Sequence, residues 1–226
     1  MTAVAQRPLV ILGKGELAQL AHYYFTHDSQ RSVAGFTVDA KYIDSTQNMG
    51  LPLVPYEELA RHFPPAGFDL FVAIGYNNLN AVRAERCRQA REEGYDLASY
   101  VSSRASVWPG LQIGGNSLIM EGNFIQPYAS LGEGVIMFCG SVVSHHCSIG
   151  DHCFISSGAI ICGGVRIGER SFIGANATVR EHLTVGRDCI VGAGAMVLKD
   201  TLDGSGYLSA GTPDSGIPSR RLRSLL

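Results

Sequence analysis

From Val101 to Val197 every sixth residue is apolar, with no break in phase: Val101, Val107, Ile113, Ile119 and so on through Val191 and Val197. Two residues before each, from Ala105 to Ala195, the chain carries Ala, Ser, Cys, Val or Asn, with Leu111 and Leu183 the departures. An α-helix repeats its faces every 3.6 residues and a strand every two, so neither produces this clock. A coil with six-residue sides does: each hexapeptide turns one aliphatic and one small residue inward, and three complete a triangular turn of a parallel β-helix. The eighteen-residue beat is visible in the pairs Ile113-Gly114, Leu131-Gly132, Ile149-Gly150, Ile167-Gly168 and Val185-Gly186. The expectation is that these glycines sit at corners where φ is positive. The 27 glycines of 226 residues, roughly 12% against an ordinary 7%, then have an architectural cause. Coils stacked about 4.8 Å apart give a prism of roughly five coils and 25 Å.

The first hundred residues have a different texture. Apolar strand-like runs at Pro8–Leu12, Ser32–Asp39, Asp69–Gly75 and Leu97–Val101 alternate with helical stretches at Glu16–Phe25, Pro55–Phe63 and Leu79–Glu93. That alternation predicts a small Rossmann-like parallel sheet with helices packed on it. The domain division expected is 1–100 for the α/β unit and 101–226 for the β-helix with its C-terminal tail. Gly13-Lys14-Gly15-Glu16-Leu17-Ala18 falls at the first strand-to-helix junction, where glycines let a backbone approach a phosphate and a helix N-terminus faces it. Asp39 ends the next strand, within reach of a ribose or base. The unit is about half of a dinucleotide fold, which favours a mononucleotide.

Eighteen Lys plus Arg against twenty Asp plus Glu give a net charge of −2. That balance gives no attraction to nucleic acid or to an anionic membrane. No apolar run reaches eighteen residues and the first residues carry no targeting pattern, so a cytoplasmic protein is expected. The six cysteines form no CxxC pair, and Cys147, Cys153 and Cys189 fall on the small stacking positions, so they read as reduced core filler and not as metal ligands.

Chemistry-bearing residues are sparse in the β-helix. Of its histidines, His145 and His146 follow the inward Val143 near a corner, where side chains leave the prism. Counting by eighteen places His145 between Pro127 and Gly163, and His146 between Tyr128 and Gly164, with His182 two coils on. A glycine in the next coil leaves room for a substrate arm beside an imidazole. Either histidine can serve as a general base, with a backbone N–H near Gly163 as an oxyanion donor. No GxSxG elbow is present, so no covalent acyl-enzyme is expected. His146 and His182 are about 10 Å apart by coil spacing and cannot share a zinc within one chain; no metal is expected. A flat prism carrying Tyr128, Phe138 and Phe154 outward gives a motive for trimerisation.

A nucleotide-binding α/β domain running into a hexapeptide β-helix resembles the sialic-acid O-acetyltransferases and the bacillosamine- and perosamine-type N-acetyltransferases of nucleotide-linked amino sugars. The likeness rests on VILGKGELAQLA, SYVSSRASVWPGLQIG, VVSHHCSIGDHCFI and VGAGAMVLKD. It implies a left-handed β-helix, a homotrimer with sites between subunits, acetyl-CoA as acyl donor and a nucleotide-linked sugar as acceptor. It further implies that Gly13, Lys14 and Gly15 face the phosphates, with Asp39, Gly75 and Tyr76 near the base and ribose. His145 matches the family base, and Phe154, Gly163 and Glu181 match positions that contact pantetheine. The implied reaction is acetylation of an amino group; O-acetylation of a sugar hydroxyl and a non-catalytic scaffold are the alternatives. Three features depart from the family. His146 stands where an acidic residue usually follows the base, Gly13-Lys14-Gly15-Glu16 replaces Gly-Gly-His, and Ser209-Ala210-Gly211-Thr212-Pro213 replaces Gly-Asn-Pro-Ala.

Overall fold

The computed structural model describes residues 7–29 and 31–211. Thr212 and Pro213 of the expected tail motif lie outside the described residues.

The N-terminal unit is built around β1 (Leu9–Leu12), whose four residues are all buried. It pairs in parallel with β2 (Val33–Val38) and with β5 (Asp69–Val72). β4 (Leu51–Pro55) extends the sheet beyond β2, and the two-residue β3 (Gln47–Asn48) closes the edge antiparallel, in the order β3-β4-β2-β1-β5. Helices α1 (Glu16–His27), α2 (Leu59–His62) and α3 (Ala81–Glu92) connect these strands. The β3–β4 hairpin is additional to the strands read from the sequence, and it carries Pro52 and Pro55, which lack ladder donors. β4 accommodates them by placing Pro52 opposite the short β3 and Pro55 at its last position.

The predicted strand Leu97–Val101 is divided between the two units. Leu97 bridges Leu70 of β5, whereas Tyr100–Val101 pairs with Leu118–Ile119 as the first rung of the solenoid. With no coil beneath it, Val101 stays 38% exposed, while Tyr100 is buried against the α/β unit.

Beyond it, two-residue strands recur on the six-residue clock, each ending on the inward aliphatic. Strands eighteen residues apart pair in register, Phe124–Ile125 with Val142–Val143 for example. The chain therefore forms a left-handed β-helix with three parallel faces of seven, six and five strands. The inward aliphatics from Ile119 to Val197 join Ala129, Cys147, Cys153, Ala159, Ala177 and Cys189 in one core. The last rung, Gly206–Tyr207, pairs with Ile190–Val191 two residues early.

The corners differ from expectation. Positive φ occurs three residues after each clock position from Val107 to Val191, with Tyr128, His146, Gly164 and His182 in one column. The glycines of the aliphatic–glycine pairs have ordinary φ. They are required because consecutive coils touch there: a Cβ on Gly114 would lie 2.5 Å from the Glu133 nitrogen.

The three outer faces have distinct fates. Tyr100, Leu118, Ile136 and Phe154 point from the first face into the core of the α/β unit, with Phe138 and Phe172 at the margin. The second face presents Phe124, Ile160 and Met196 to solvent. The third carries Gln112, Ser130, Ser148, Arg166 and Thr184. The predicted exposure of Phe138 and Phe154 is thus corrected: the molecule covers them itself, and the open apolar strip lies one face over.

Arg83 of α3 fixes the two units together. Its fully buried guanidinium donates to the carbonyls of Gly75 at 2.5 Å, Gly134 at 3.0 Å and His152 at 2.6 Å. Burial lowers its pKa to about 10. Asn116, at a corner, exchanges two hydrogen bonds with Val72 and so closes the free edge of β5.

Candidate active site

The corner between the second and third faces brings the predicted histidines together. Val143 ends its strand inside the core, and the chain leaves the prism at Ser144. His146 takes the left-handed corner conformation, φ 58°, which turns the two imidazoles toward each other, Nδ1 to Nδ1 at 3.1 Å. The His145 backbone N–H donates to Gln126 Oε1 of the coil below at 2.9 Å. The His146 ring lies over the Tyr128 ring, centroids 4.7 Å apart and 29° from parallel. Both histidines are exposed.

The His145 ring rises over Gly163 in the next coil. A Cβ at Gly163 would stand 2.5 Å from Cε1 and 2.7 Å from Nε2 of His145. The neighbouring Gly164 N–H is already bound to the His145 carbonyl at 2.9 Å, and the Gly163 carbonyl accepts from His182 at 2.9 Å. The Gly163 N–H donates to no group among the described residues. One coil further, Glu181 is exposed in the same column. An imidazole, a backbone N–H without a partner among the described residues and the small side of a glycine pair therefore lie together, groups of the kind that acyl transfer to an amine or hydroxyl uses. Below this corner a cleft of about 480 Å³ is lined by Trp108, Gln126 and Tyr128.

Phe154 is elsewhere. It is 2% exposed on the first face and packs among Tyr76, Phe138 and Phe172, with centroids 5.0 to 5.5 Å away. Its ring belongs to the joint between units and not to the histidine corner, which corrects its expected role beside pantetheine.

A second cleft, of about 440 Å³, opens at the C-terminal ends of β1, β2 and β5 and is lined by Gly13, Lys14, Asp39, Lys41, Asn77 and Arg86 among others. Open α/β sheets bind ligands at this end. Gly13 has φ 133°, and a Cβ there would lie 2.9 Å from the Ala73 carbonyl oxygen, so the fold alone requires it. Gly15, at the N-cap of α1, has φ −82° and open space around a Cβ. The Lys14 ammonium bonds the Tyr42 carbonyl at 2.7 Å and Asp44 at 2.6 Å. Asp39 lines the cleft but is held by Arg86. Gly75 gives its carbonyl to Arg83, and Tyr76 lays its ring against Phe154 and Phe172. Lys41, Asn77 and Arg86 escaped the sequence reading. Arg86 shares α3 with Arg83, Arg88 and Arg91, and spacing alone does not separate a cleft cation from a buried clamp.

Cys87, Glu133 and His152 also cluster, with ligand atoms within 4.8 Å of one another. The site is unsuited to a cation. Burial pushes the Cys87 thiol up to about 12, away from the thiolate a metal needs, Arg91 pairs with Glu133, and the buried Arg83 guanidinium, bonded to the His152 carbonyl, already places a positive charge there.

Residues 164–199 match the family model described as bacterial transferase hexapeptide (six repeats), and residues 147–179 match the hexapeptide repeat of succinyl-transferase. No curated protein matches the chain. Among solved structures, the acetyltransferase domain of PglB from Neisseria gonorrhoeae, in complex with acetyl coenzyme A, is 28% identical with a TM-score of 0.79, over 89% of this chain and 96% of that one. PerB from Caulobacter crescentus, in complex with CoA and GDP-perosamine, is 31% identical with a TM-score of 0.78, over 89% of this chain and 94% of that one. The chain belongs to the nucleotide-amino-sugar N-acetyltransferase family of hexapeptide-repeat proteins. A histidine-to-asparagine variant of the Caulobacter enzyme, 29% identical over 93% of this chain, has a TM-score of 0.81. As a member of that family the chain is an acetyl-CoA-dependent acyltransferase. Among the described residues no helix is long and apolar enough to cross a membrane.

Proposed function

We propose that this acyltransferase acetylates an amino group on a nucleotide-linked amino-deoxy sugar, with His145 as general base and the Gly163 N–H as oxyanion donor. The observation that carries the proposal is the His145 imidazole poised over a glycine whose own N–H has no partner among the described residues. The nature of the acceptor is supported by the Caulobacter relative, solved with GDP-perosamine, and by the cationic cleft of the α/β unit.

In the reaction, the acceptor nitrogen attacks the thioester carbonyl as its proton passes to His145 Nε2. The new N–C bond pushes the carbonyl pair onto oxygen, where the Gly163 N–H receives it. Collapse breaks the C–S bond, and the departing thiolate takes the proton from His145. Gly163 and Gly164 keep the groove open for the acyl arm, and Glu181 borders it one coil above. Lys14, Lys41 and Arg86 supply positive charge for the nucleotide phosphates, the open α1 N-terminus at Gly15 admits them, and Asp39 and Asn77 border the ribose and base.

The exposed strip of Phe124, Ile160 and Met196 lies beside the histidine corner, so its burial against a second copy forms a homotrimer with the grooves between subunits. Six free thiols suit a reducing cytoplasm.

Thermal denaturation with acetyl-CoA, crossed against UDP-, GDP-, dTDP- and CMP-linked amino sugars, tests the proposal, since ligands that bind only the folded state raise its melting temperature. Stabilisation by acetyl-CoA and by one nucleotide sugar, followed by acetylation of that sugar, is the expected result. Stabilisation by acetyl-CoA alone contradicts the assigned acceptor.

A further inference from the structure

The step from His145 to His146 contains a chemical substitution whose consequences the geometry defines. We propose that His146 is a neutral positioning residue, accepting the Nδ1–H of His145 through its own Nδ1 lone pair in place of a carboxylate. The inference rests on the assignment of His145 as the base.

Two Nδ1 atoms 3.1 Å apart are joined only when one carries a proton and the other a lone pair. A base acting through Nε2 needs its lone pair there, so the His145 proton belongs on Nδ1. His146 is then the acceptor and carries its own proton on Nε2. The imidazolium formed when His145 takes a proton keeps its Nδ1–H on His146, and that bond strengthens as the charge develops.

The surroundings hold this arrangement. Tyr128 and Gln126 face the pair from the coil below, Gly163 and Gly164 from the coil above, with Glu181 and His182 one coil beyond. Neither His145 nor His146 pairs with a carboxylate among the described residues, unlike His62 and His152. The stacking of His146 on Tyr128 fixes its ring plane without adding charge.

The test is nitrogen NMR of the full-length enzyme labelled at histidine, with His145→Asn and His146→Asn used for assignment. With both rings neutral the spectra should show the Nδ1–H tautomer for His145 and the Nε2–H tautomer for His146. His146→Glu, which keeps an acceptor, should retain the Nδ1–H on His145. His146→Phe, which keeps the stack on Tyr128 but offers no acceptor, should return His145 to the Nε2–H tautomer. A packing role alone would leave the His145 tautomer the same in both variants. Nε2–H tautomers on both wild-type rings, or Nδ1–H on His146, would overturn the proposal. Because the measurement needs no substrate, it is separate from the role of His145: full activity of His145→Ala would remove the base assignment whatever the tautomers show.

Discussion

The imidazole of His145 fills the space that a side chain at Gly163 would occupy, with Nε2 only 2.7 Å from the position of the missing Cβ. Gly163 does not have the positive φ that would explain a glycine, so the close approach of the ring is what its small size serves. Gly163→Ala should therefore leave the fold intact while tilting His145 from its place. Misplacing a catalytic group by about 1 Å costs on the order of a hundredfold. A drop of about that size in kcat/KM, with the melting temperature nearly unchanged, is the expected outcome in paired kinetic and calorimetric measurements.

The two glycines of the loop between β1 and α1 should separate in the same way. At Gly13 an added Cβ meets the Ala73 carbonyl on a backbone with φ 133°, so Gly13→Ala should destabilise the protein by about 2 kcal/mol or more. At Gly15 nothing lies within reach of a Cβ, and Gly15→Ala should leave stability within about 1 kcal/mol. Nucleotide affinity, read by calorimetric titration, should fall about tenfold in the Gly15 variant, one 1.4 kcal/mol step. Equal stability losses at both positions would contradict this division.

Arg83 contributes to cohesion through carbonyl acceptors alone. Arg83→Met fills part of the volume but abandons the carbonyls of Gly75, Gly134 and His152 in a buried joint. Removing a buried charged partner costs about 3 kcal/mol or more. Urea denaturation should show that loss, and proteolysis should release the α/β unit earlier than in wild type.

His152 sets a pH dependence of stability. Burial, aided by Arg83, lowers its pKa to about 4 from an ordinary value near 6.5. Below about 6.5 the unfolded chain binds a proton that the folded protein refuses, so stability is present above that pH and is lost as the pH falls toward 4. The slope approaches about 1.4 kcal/mol per pH unit at most. His152 has φ 57°, a conformation that asparagine tolerates, so His152→Asn should fold and flatten the acid limb of a stability–pH curve. An unchanged limb would assign the acid sensitivity to other groups.

The solenoid was legible because its signal is one-dimensional: one aliphatic every sixth residue reports one inward position per side, and no other architecture keeps that phase. The histidine corner followed from the same counting, since residues eighteen apart are neighbours. What counting missed was three-dimensional. Gly114 and its equivalents looked like corner residues, yet the coils press together there and the left-handed turns lie at His146, Gly164 and their column. Phe154 looked outward because the clock marks a face as outward without saying what covers it; the α/β unit does. Arg83 and Arg86 are three residues apart on one basic helix, and only the docking of that helix makes one a clamp and the other a cleft residue.

The most direct test of the proposed chemistry is kcat/KM for acetyl transfer by His145→Ala, measured beside wild type with acetyl-CoA and the nucleotide amino sugar that stabilises the protein. A positioned general base contributes roughly 10²- to 10⁴-fold. The predicted result is a loss in that range, mostly in kcat, with binding of acetyl-CoA retained. Wild-type kcat/KM in the variant would contradict His145 as the base and move the reaction away from the corner it shares with Gly163.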